Sequence, residues 1–385
     1  MFLNYSKFRR YLVIVLLFLA ITLCIGLDAY LRHNNSATAN ISASSTANTP
    51  TIRDKWLLPF SQDSIWNLPI GSDAQYSPAN LPKATDASVD NDLLFIIPAD
   101  SPRRPLYDPG NWTNRCSGTT TYENLSIPIP DDLIVADAIN TPTKYYTPNN
   151  AAALLQPDGR TIMQLEPMAR CLKAGPVYGY HHPKPDIDIY GQGISGSHLG
   201  SGLSAIGGTI RKGELTGSDR IRHVLKIELW EKYLNYTPGS STPGYRWPAD
   251  RADSAAPSIY KGKDPQLVMG SLLAIPPNVT EDSLGLTTPA GKKLFHALQD
   301  YGGYQVDATG ADTFALAVEQ GVEDEFKAAY GYDFSASATS NNPFYQDFMK
   351  LFQALNIITN NSPNSVGGGG KRRAPLASPF ADEIK

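Results

Sequence analysis

Cysteine is scarce in this sequence. Only three of its 385 residues are cysteines, and one of them, Cys24, lies inside a long apolar run. Too few thiols remain outside that run to form a cysteine-rich zinc cluster. The other two, Cys116 and Cys171, are an even number, as expected of a protein in an oxidising compartment. We therefore predict a disulfide between them, with two unrelated buried thiols as the alternative.

Positive charge is sparse as well. The formal net charge is −4, and beyond the N-terminus the basic residues cluster only at 371–373. A nucleic-acid-binding surface needs a basic patch or stripe, so we expect no nucleic-acid partner.

The N-terminus carries the longest apolar run. Residues 11–27 are apolar and follow a basic segment, and the length of the run is at the lower limit for crossing a bilayer. The basic flank is expected to stay inside the cell. We predict a cytoplasmic N-terminus at 1–10 and a signal anchor or transmembrane segment at 11–30. The rest of the chain is then at the cell surface, or secreted if the run is a cleaved signal peptide.

Composition divides the remaining chain into three parts. Residues 31–55 are rich in Ser, Thr, Ala and Asn, a composition that cannot bury a core and predicts a flexible linker. Residues 56–360 carry the apolar segments without internal repeats, and we expect them to form one β-rich ectodomain. Residues 361–385 follow as a C-terminal tail that contains glycine and proline.

Short apolar segments broken by Pro, Gly, Asn and Asp predict strands throughout the ectodomain. Examples are LLFIIPAD, TIMQLEP, DIDIYG and HVLKIELW. Helical periodicity is confined to 288–301, 342–355 and a short stretch at 201–206. The 30 prolines argue against βαβ repeats, whose crossovers need long helices. We predict a mainly β fold, a single β-sandwich or jelly-roll-like ectodomain with a few peripheral α-helices.

Three familiar motifs fail in the glycine-rich segment 186–200. Residues 191–196 match GxGxxG, but a dinucleotide-binding loop opens a helix, and here Ser-His-Leu-Gly follows. A nucleophile elbow would need serine at the position of His198. A calcium loop that began at Asp186 would need a carboxylate at its twelfth position, where Ser197 stands. What remains is a tight loop that presents one histidine.

Histidines and strand carboxylates are the candidate catalytic residues. His198 lies among small residues that let the backbone approach a ligand closely. Strand alternation places Asp186 and Asp188 on one face, and Glu166 shares a face with Gln164. Such carboxylates can act as acid and base or hold a divalent cation, while packing histidines and solvated strand faces are the alternative. The candidate catalytic set is His198, His181, His182, Asp186, Asp188 and Glu166.

Aromatic side chains surround these positions. Flat rings with a polar edge suit stacking on sugars, although a sheet core would also bury many of them. In segment 244–253, two arginines beside aromatic residues could neutralise an acidic sugar, with pairing to neighbouring aspartates as the alternative. The candidate substrate-binding set is Gln164, Tyr180, Tyr190, Arg246, Trp247 and Arg251.

Four stretches resemble a group of secreted bacterial proteins that has no assigned activity. They are SIWNLPIGS at 64–72, GSHLGSGLSAIGGTIRKGEL at 196–215, IRHVLKIELW with GYRWPADRAD within 221–253, and KKLFHALQDYGGYQVD at 292–307. The resemblance covers most of the ectodomain. It implies secretion and a single domain, and it carries over neither a reaction nor a catalytic residue.

These patterns lead to one main hypothesis, an extracytoplasmic enzyme that acts on a polysaccharide or cell-envelope glycan. In a lyase, a histidine or Tyr190 would remove the proton α to a uronate carboxyl. In a glycoside hydrolase, two carboxylates among Glu166, Asp186, Asp188 and Glu214 would act as acid and base or nucleophile. A divalent cation such as calcium is a further expectation, with no metal ligand assigned. The alternative is a non-catalytic carbohydrate-binding or adhesive protein, and membrane contact is expected through the N-terminal segment only.

Overall fold

Strands dominate the folded part of the chain. The structure is a computed structural model that describes residues 52–110, 114–117, 120–135 and 149–380. It is 27% strand and 15% helix, which confirms the mainly β expectation. The predicted anchor at 11–30 lies outside the described residues, and within them no helix is long and apolar enough to cross a membrane.

Fourteen strands are found in these described ranges, and hydrogen bonds join them in one mixed sheet. They are β1 (Tyr76–Pro78), β2 (Asp86–Ile96), β3 (Arg103–Tyr107), β4 (Tyr122–Pro128), β5 (Ala152–Leu155), β6 (Thr161–Ala169), β7 (Val177–His181), β8 (Ile187–Asp188), β9 (Leu225–Trp230), β10 (Leu272–Ala274), β11 (Gly303–Thr309), β12 (Thr313–Glu319), β13 (Ala336–Ser337) and β14 (Asn356–Ile358). Their order is β1-β14-β10-β11-β9-β12-β2-β5-β6-β7-β3-β4, with β13 beside β2 and β8 beside β6.

The long strand β2 joins the two halves of this sheet. Residues 86–92 pair in parallel with β12, and residues 93–96 pair in parallel with β5. Because β2 continues past the end of β12, the strands follow one path instead of forming the two separate sheets of the expected sandwich or jelly roll. Asp90 and Asp92 lie just before the point where β2 changes partner.

Capping residues begin the two long helices that the sequence predicts. The helices are α1 (Ala256–Ile259), α2 (Glu281–Leu284), α3 (Pro289–Asp300), α4 (Val322–Tyr330) and α5 (Pro343–Gln353), with 3₁₀ turns at Glu231–Tyr233 and Val366–Gly368. The side chains of Thr288 and Asn342 accept hydrogen bonds from first-turn amides of α3 and α5. The stretch 201–206, which the sequence predicts to be helical, is not a helix. Leu203 instead forms an isolated antiparallel β-bridge with Ser195.

The largest apolar core lies between the sheet and helices α3 and α5. Alternate residues of β9 and β12, including Ile227 and Phe314, face Leu294 and Phe348 from the helices. The rings of Phe314 and Phe352 stack with their centroids 4.7 Å apart. Since alternate side chains of a strand point to opposite faces, the same two strands present a second set of side chains away from this core.

The C-terminal segment packs against the beginning of the domain. The Arg372 guanidinium donates to the carbonyl oxygens of Pro69 at 3.0 Å and Val366 at 2.7 Å. The four glycines at 367–370 all have positive φ, and a Cβ at Gly368 would lie 2.4 Å from the backbone of Ala74. Residues 361–380, which the sequence assigns to a tail, are therefore part of the packed structure.

The predicted disulfide is confirmed. Cys116 and Cys171 are bonded across a sequence separation of 55 residues. The bond ties the connection between β3 and β4 to the residues that follow β6.

Replacement of both cysteines, C116A with C171A, should lower the free energy of unfolding by roughly 4 kcal/mol, because the bond restricts a long loop of the unfolded chain. Urea unfolding of the variant and of the wild type, with and without reductant, measures the effect. The wild type should become as unstable as the variant on reduction, whereas equal midpoints in all samples would contradict the prediction.

Candidate active site

One face of β9 is charged and yet buried. Leu225, Ile227 and Leu229 belong to the apolar core, so Lys226 and Glu228 project from the opposite face. Lys226 has no exposed surface, and Glu228 is only 6% exposed. Two buried charged side chains need partners nearby, and neighbouring strands and one loop supply them.

The register of the sheet brings further carboxylates to this face. Glu228 is flanked by Asp307 on β11 and by Ala315 on β12. On the other side of β12, Ala317 pairs with Asp90 of β2. The small alanine side chains leave room above β12, and the Asp90 and Glu228 carboxyl groups on either side of it shift each other's pKa. Carboxyl groups from β2, β9 and β11 therefore gather in one place.

The glycine-rich loop 195–203 places His198 on the same face. The Gly202 amide donates a hydrogen bond to the His198 carbonyl at 2.6 Å. Gly202 has a φ of 75°, a backbone conformation that favours glycine. At Gly200, a Cβ atom would lie 2.5 Å from a carboxylate oxygen of Asp307. The two glycines thus allow a tight turn that approaches β11 closely.

His198 lies at the middle of the charged cluster and has no exposed surface. Its Nε2 atom lies 2.9 Å from Lys226 Nζ and 3.4 Å from Asp92 Oδ1. Its Nδ1 atom lies 3.8 Å from Glu166 Oε2 and 3.9 Å from Asp307 Oδ2. These five residues, Asp92, Glu166, His198, Lys226 and Asp307, are called the His198 centre below.

An ion pair forms the closed end of the His198 centre. Lys226 Nζ lies 2.6 Å from Asp92 Oδ2 and donates to the carbonyl oxygens of Ala205 at 3.0 Å and Ser204 at 3.4 Å. The Thr209 hydroxyl donates to the same Asp92 oxygen at 2.6 Å. The three ammonium hydrogens of Lys226 thus have three oxygen acceptors within the protein.

The opposite end of the centre is open to the surface. The Asp307 side chain is 21% exposed, whereas that of Glu166 is 3% exposed and accepts a hydrogen bond from the Leu199 amide. One ligand atom each from Glu166, His198 and Asp307 lies within 4.8 Å of the others. This triad of one imidazole and two carboxylates has the spacing of a metal-binding group.

Burial and crowded charge shift the pKa values of the cluster. Burial raises the pKa of Glu166 well above its usual value, and burial together with the Asp92 charge raises the pKa of Asp90 to about 6. Burial opposes ionisation of Asp92 too, but Lys226 and His198 lower its pKa overall. Burial and Lys226 act to lower the pKa of His198, yet the surrounding carboxylates raise it to about 9. Excess negative charge therefore favours a positive charge at His198.

A second, partly exposed group lies beside the His198 centre on β6 and β7. Glu166 pairs with Tyr180 across these strands, and the His182 amide donates to the Gln164 carbonyl at 3.0 Å. The side chains of Gln164, Glu166, Tyr180 and His182 therefore lie on the same face of the sheet. Gln164 is buried and accepts from the Ala205 amide at 2.7 Å, which holds the glycine-rich loop, while Tyr180 and His182 stay partly exposed.

Arg251 completes this second group. Its guanidinium pairs with Asp250 at 2.6 Å, and the Asp250 amide donates to the Ser201 carbonyl at 3.0 Å, so the segment is tied to the glycine-rich loop. Burial and the positive charge of Arg251 lower the pKa of His182, which keeps its imidazole neutral at pH 7. Tyr180, His182 and Arg251 are called the rim group below.

Three other candidate catalytic residues are engaged in local ion pairs. The Nε2 atom of His181 lies 2.6 Å from a carboxylate oxygen of Asp186. Asp188 pairs with Arg160 at 2.6 Å and accepts a hydrogen bond from the Tyr190 amide. The structure therefore does not bring Asp186, Asp188 or His181 together with His198.

The remaining candidates mostly support the fold. Arg246 donates to two main-chain carbonyl oxygens near the C-terminus at 2.9 and 3.2 Å. The Tyr190 hydroxyl accepts from a lysine at 3.0 Å, and Trp247 packs against an apolar cluster. Glu214 forms an ion pair with His223 at 3.0 Å. Of the candidate substrate-binding residues, Tyr180 and Arg251 lie in the rim group and Gln164 lies beneath it.

Sequence reasoning identified His198 and Glu166 but missed Asp92, Lys226 and Asp307. The signal was present in DASVDNDLLFI and LKIELW, where charged and apolar residues alternate. That alternation usually indicates a strand with one solvent-exposed face. Only the neighbouring strands and the loop above them show that the charged face is covered.

Comparison with known proteins adds no assignment. No family model, curated protein or solved structure matches this chain. The chemistry of the site is therefore interpreted from its own geometry.

Removal of the lysine in K226M should destabilise the protein by about 3–5 kcal/mol, because Asp92 would remain buried without its main counter-charge. Urea denaturation at pH 7 measures the change. The matched control is K327M, which breaks an exposed Lys327–Asp333 pair of similar length, 2.7 Å. This surface change should leave stability almost unaltered, and equal effects of the two substitutions would contradict the role given to Lys226.

Proposed function

We propose that this protein is an extracytoplasmic lyase that cleaves an acidic polysaccharide by β-elimination. The observation that carries the proposal is the rim group, in which Tyr180 and His182 share one partly exposed face and the charge of Arg251 acts on His182. The disulfide is consistent with an oxidising compartment outside the cytoplasm.

Arg251 is the group that recognises a uronate carboxylate. Its side chain is 39% exposed, and its pairing partner Asp250 is 56% exposed, so the guanidinium can exchange this partner for a ligand. Arginine binds carboxylates through two parallel hydrogen bonds. Neutralising the uronate carboxylate makes the adjacent C–H more acidic, which is the first requirement of β-elimination.

His182 and Tyr180 supply the base and the acid. The neutral His182 imidazole removes the proton from the carbon next to the carboxylate, and the freed electron pair forms a double bond to the neighbouring carbon. The bond from that carbon to the glycosidic oxygen breaks, and the oxygen takes the proton of the Tyr180 hydroxyl. Tyrosinate then regains a proton from the imidazolium through solvent. The products are an unsaturated uronate end and a new hydroxyl end, with no other reactant.

The geometry favours elimination over hydrolysis. A glycoside hydrolase needs two carboxyl groups that both reach the scissile bond. Glu166 is almost completely covered by the glycine-rich loop, and Asp186, Asp188 and Glu214 are held in ion pairs. The buried groups with shifted pKa values in the neighbouring His198 centre are typical of catalytic sites, which supports an enzyme over a purely binding protein.

Substitution H182Q should reduce the turnover number at least ~100-fold, the usual contribution of a general base. The matched control is H296Q, since His296 lies on α3 with its imidazole paired to Glu281, away from the rim group. H296Q should retain wild-type turnover.

Substitution R251M should mainly raise KM for an acidic polysaccharide, because it removes the carboxylate-binding cation.

The assay follows the ultraviolet absorbance of unsaturated uronate ends and, in parallel, the release of reducing ends from acidic and neutral polysaccharides. The proposal requires both signals to rise together on an acidic substrate. Reducing ends without absorbance would indicate a hydrolase. Retention of a polysaccharide with neither signal would indicate a binding protein, and either result would refute the lyase.

A further inference from the structure

We infer that the His198 centre binds a divalent cation through His198 Nδ1, Glu166 Oε2 and Asp307 Oδ2. The ion would occupy the open end of the centre, beside the rim group. The inference therefore deepens the proposed function and gives the lyase a metal, although the contacts that support it belong to the His198 centre alone.

The distances from His198 Nδ1 to the two carboxylate oxygens fit a coordination sphere. His198 Nδ1 is fully buried and has no hydrogen-bond partner within the part of the chain that the structure describes. It faces the two carboxylate oxygens at 3.8 and 3.9 Å, beyond the range of an N–H···O hydrogen bond. Ligands that lie about 2.0–2.4 Å from one ion are themselves roughly 3–4 Å apart. The gap is thus too wide for a hydrogen bond and suited to an ion.

The other ring nitrogen, Nε2, lies near a third carboxylate, that of Asp92. Asp92 Oδ1 is buried without a hydrogen-bond donor among the described residues, and His198 Nε2 is 3.4 Å away. If Nε2–H donates to Asp92, the Nδ1 lone pair is free to bind a metal. A carboxylate that holds the second nitrogen of a metal-binding histidine is a common arrangement in metal sites.

Lys226 Nζ also lies 2.9 Å from Nε2. Lys226 could donate a hydrogen bond to Nε2, whereas Asp92 could only accept one from it. If Lys226 donated to Nε2, a hydrogen on Nδ1 would have no acceptor in reach and Asp92 Oδ1 would still lack a donor. Lys226 already has three oxygen acceptors, namely Asp92 Oδ2 and the carbonyls of Ser204 and Ala205. An ion at Nδ1 gives this buried atom the partner that it lacks. The ion would displace any hydrogen on Nδ1, and its charge would then balance the carboxylates that favour a positive charge at His198.

The donor set also indicates the kind of ion. Calcium and magnesium prefer oxygen ligands, whereas imidazole suits zinc and other transition metals, and carboxylates suit manganese. One imidazole with two carboxylates therefore fits Mn²⁺ or Zn²⁺ better than the calcium expected from the sequence. Three protein ligands leave positions for water or substrate, and the partial exposure of Asp307 provides a route to them.

The location of the ion suggests its role in the proposed reaction. Glu166 and His182 are diagonal neighbours on paired strands, a relation that separates residues by roughly 7–8 Å. A cation bound by Glu166 can reach the carboxylate of a uronate whose neighbouring C–H faces His182. There it would stabilise the negative charge that develops when the proton leaves.

The test uses the full chain, stripped with a chelator and titrated by calorimetry with MnCl₂ alone, ZnCl₂ alone or CaCl₂ alone. We expect one site per chain for Mn²⁺ or Zn²⁺, weaker binding of Ca²⁺, and a higher melting temperature on loading. D307N and E166Q should weaken binding at least ~10-fold. The matched control is E228Q, which removes a buried carboxylate of the same cluster that is not in the ligand set, and it should keep the wild-type affinity.

Absence of Mn²⁺ and Zn²⁺ binding to folded wild type would overturn the inference, and so would equal losses in E228Q and E166Q. The D307N variant is expected to fold normally because Asp307 is partly exposed. The melting temperature of metal-free D307N should therefore match that of the stripped wild type. The calorimetry uses no polysaccharide, so its result is independent of the lyase assay described above. A loaded protein without lyase activity refutes the proposed function alone, and an active enzyme that binds neither metal refutes the cation alone.

Discussion

A buried ion pair between Lys226 and Asp92 determines how the candidate site is built. Both side chains are fully buried, so each charge needs the other as its counter-ion. The pair connects β9 to β2 across β12. The pair lies where β2 passes from one half of the sheet to the other. It also determines the surroundings of His198, whose Nε2 atom contacts both partners.

The two ends of the His198 centre have opposite character as a result. At the closed end, Thr209 and Lys226 both contact Asp92 Oδ2, which holds these three side chains together as a support. At the open end, Glu166 and Asp307 face an imidazole nitrogen without direct hydrogen bonds to it. Two carboxyl groups are therefore concentrated where a ligand could enter. Rigid support on one side and unsatisfied polar atoms on the other are the arrangement that catalytic and metal sites require.

Local patterns in the sequence predicted local structure well. Helical periodicity at 288–301 and 342–355 predicted α3 and α5, and the two cysteines outside the apolar run predicted the disulfide. The site was harder, because its members come from four strands and a loop that only the fold brings together. His198 was found because its glycine-rich loop is unusual on its own. Asp186 and Asp188 were misleading, since a strand of alternating carboxylates looks the same whether it faces a cleft or pairs locally with His181 and Arg160.

The central claim is that the open end of the His198 centre is a coordination site. A crystal structure of the protein grown with MnCl₂, with diffraction data collected at the manganese absorption edge, tests it most directly. The account predicts one anomalous peak within roughly 2.4 Å of His198 Nδ1, Glu166 Oε2 and Asp307 Oδ2. The absence of a peak there, with His198 Nδ1 hydrogen-bonded directly to one of the two carboxylates, would contradict it.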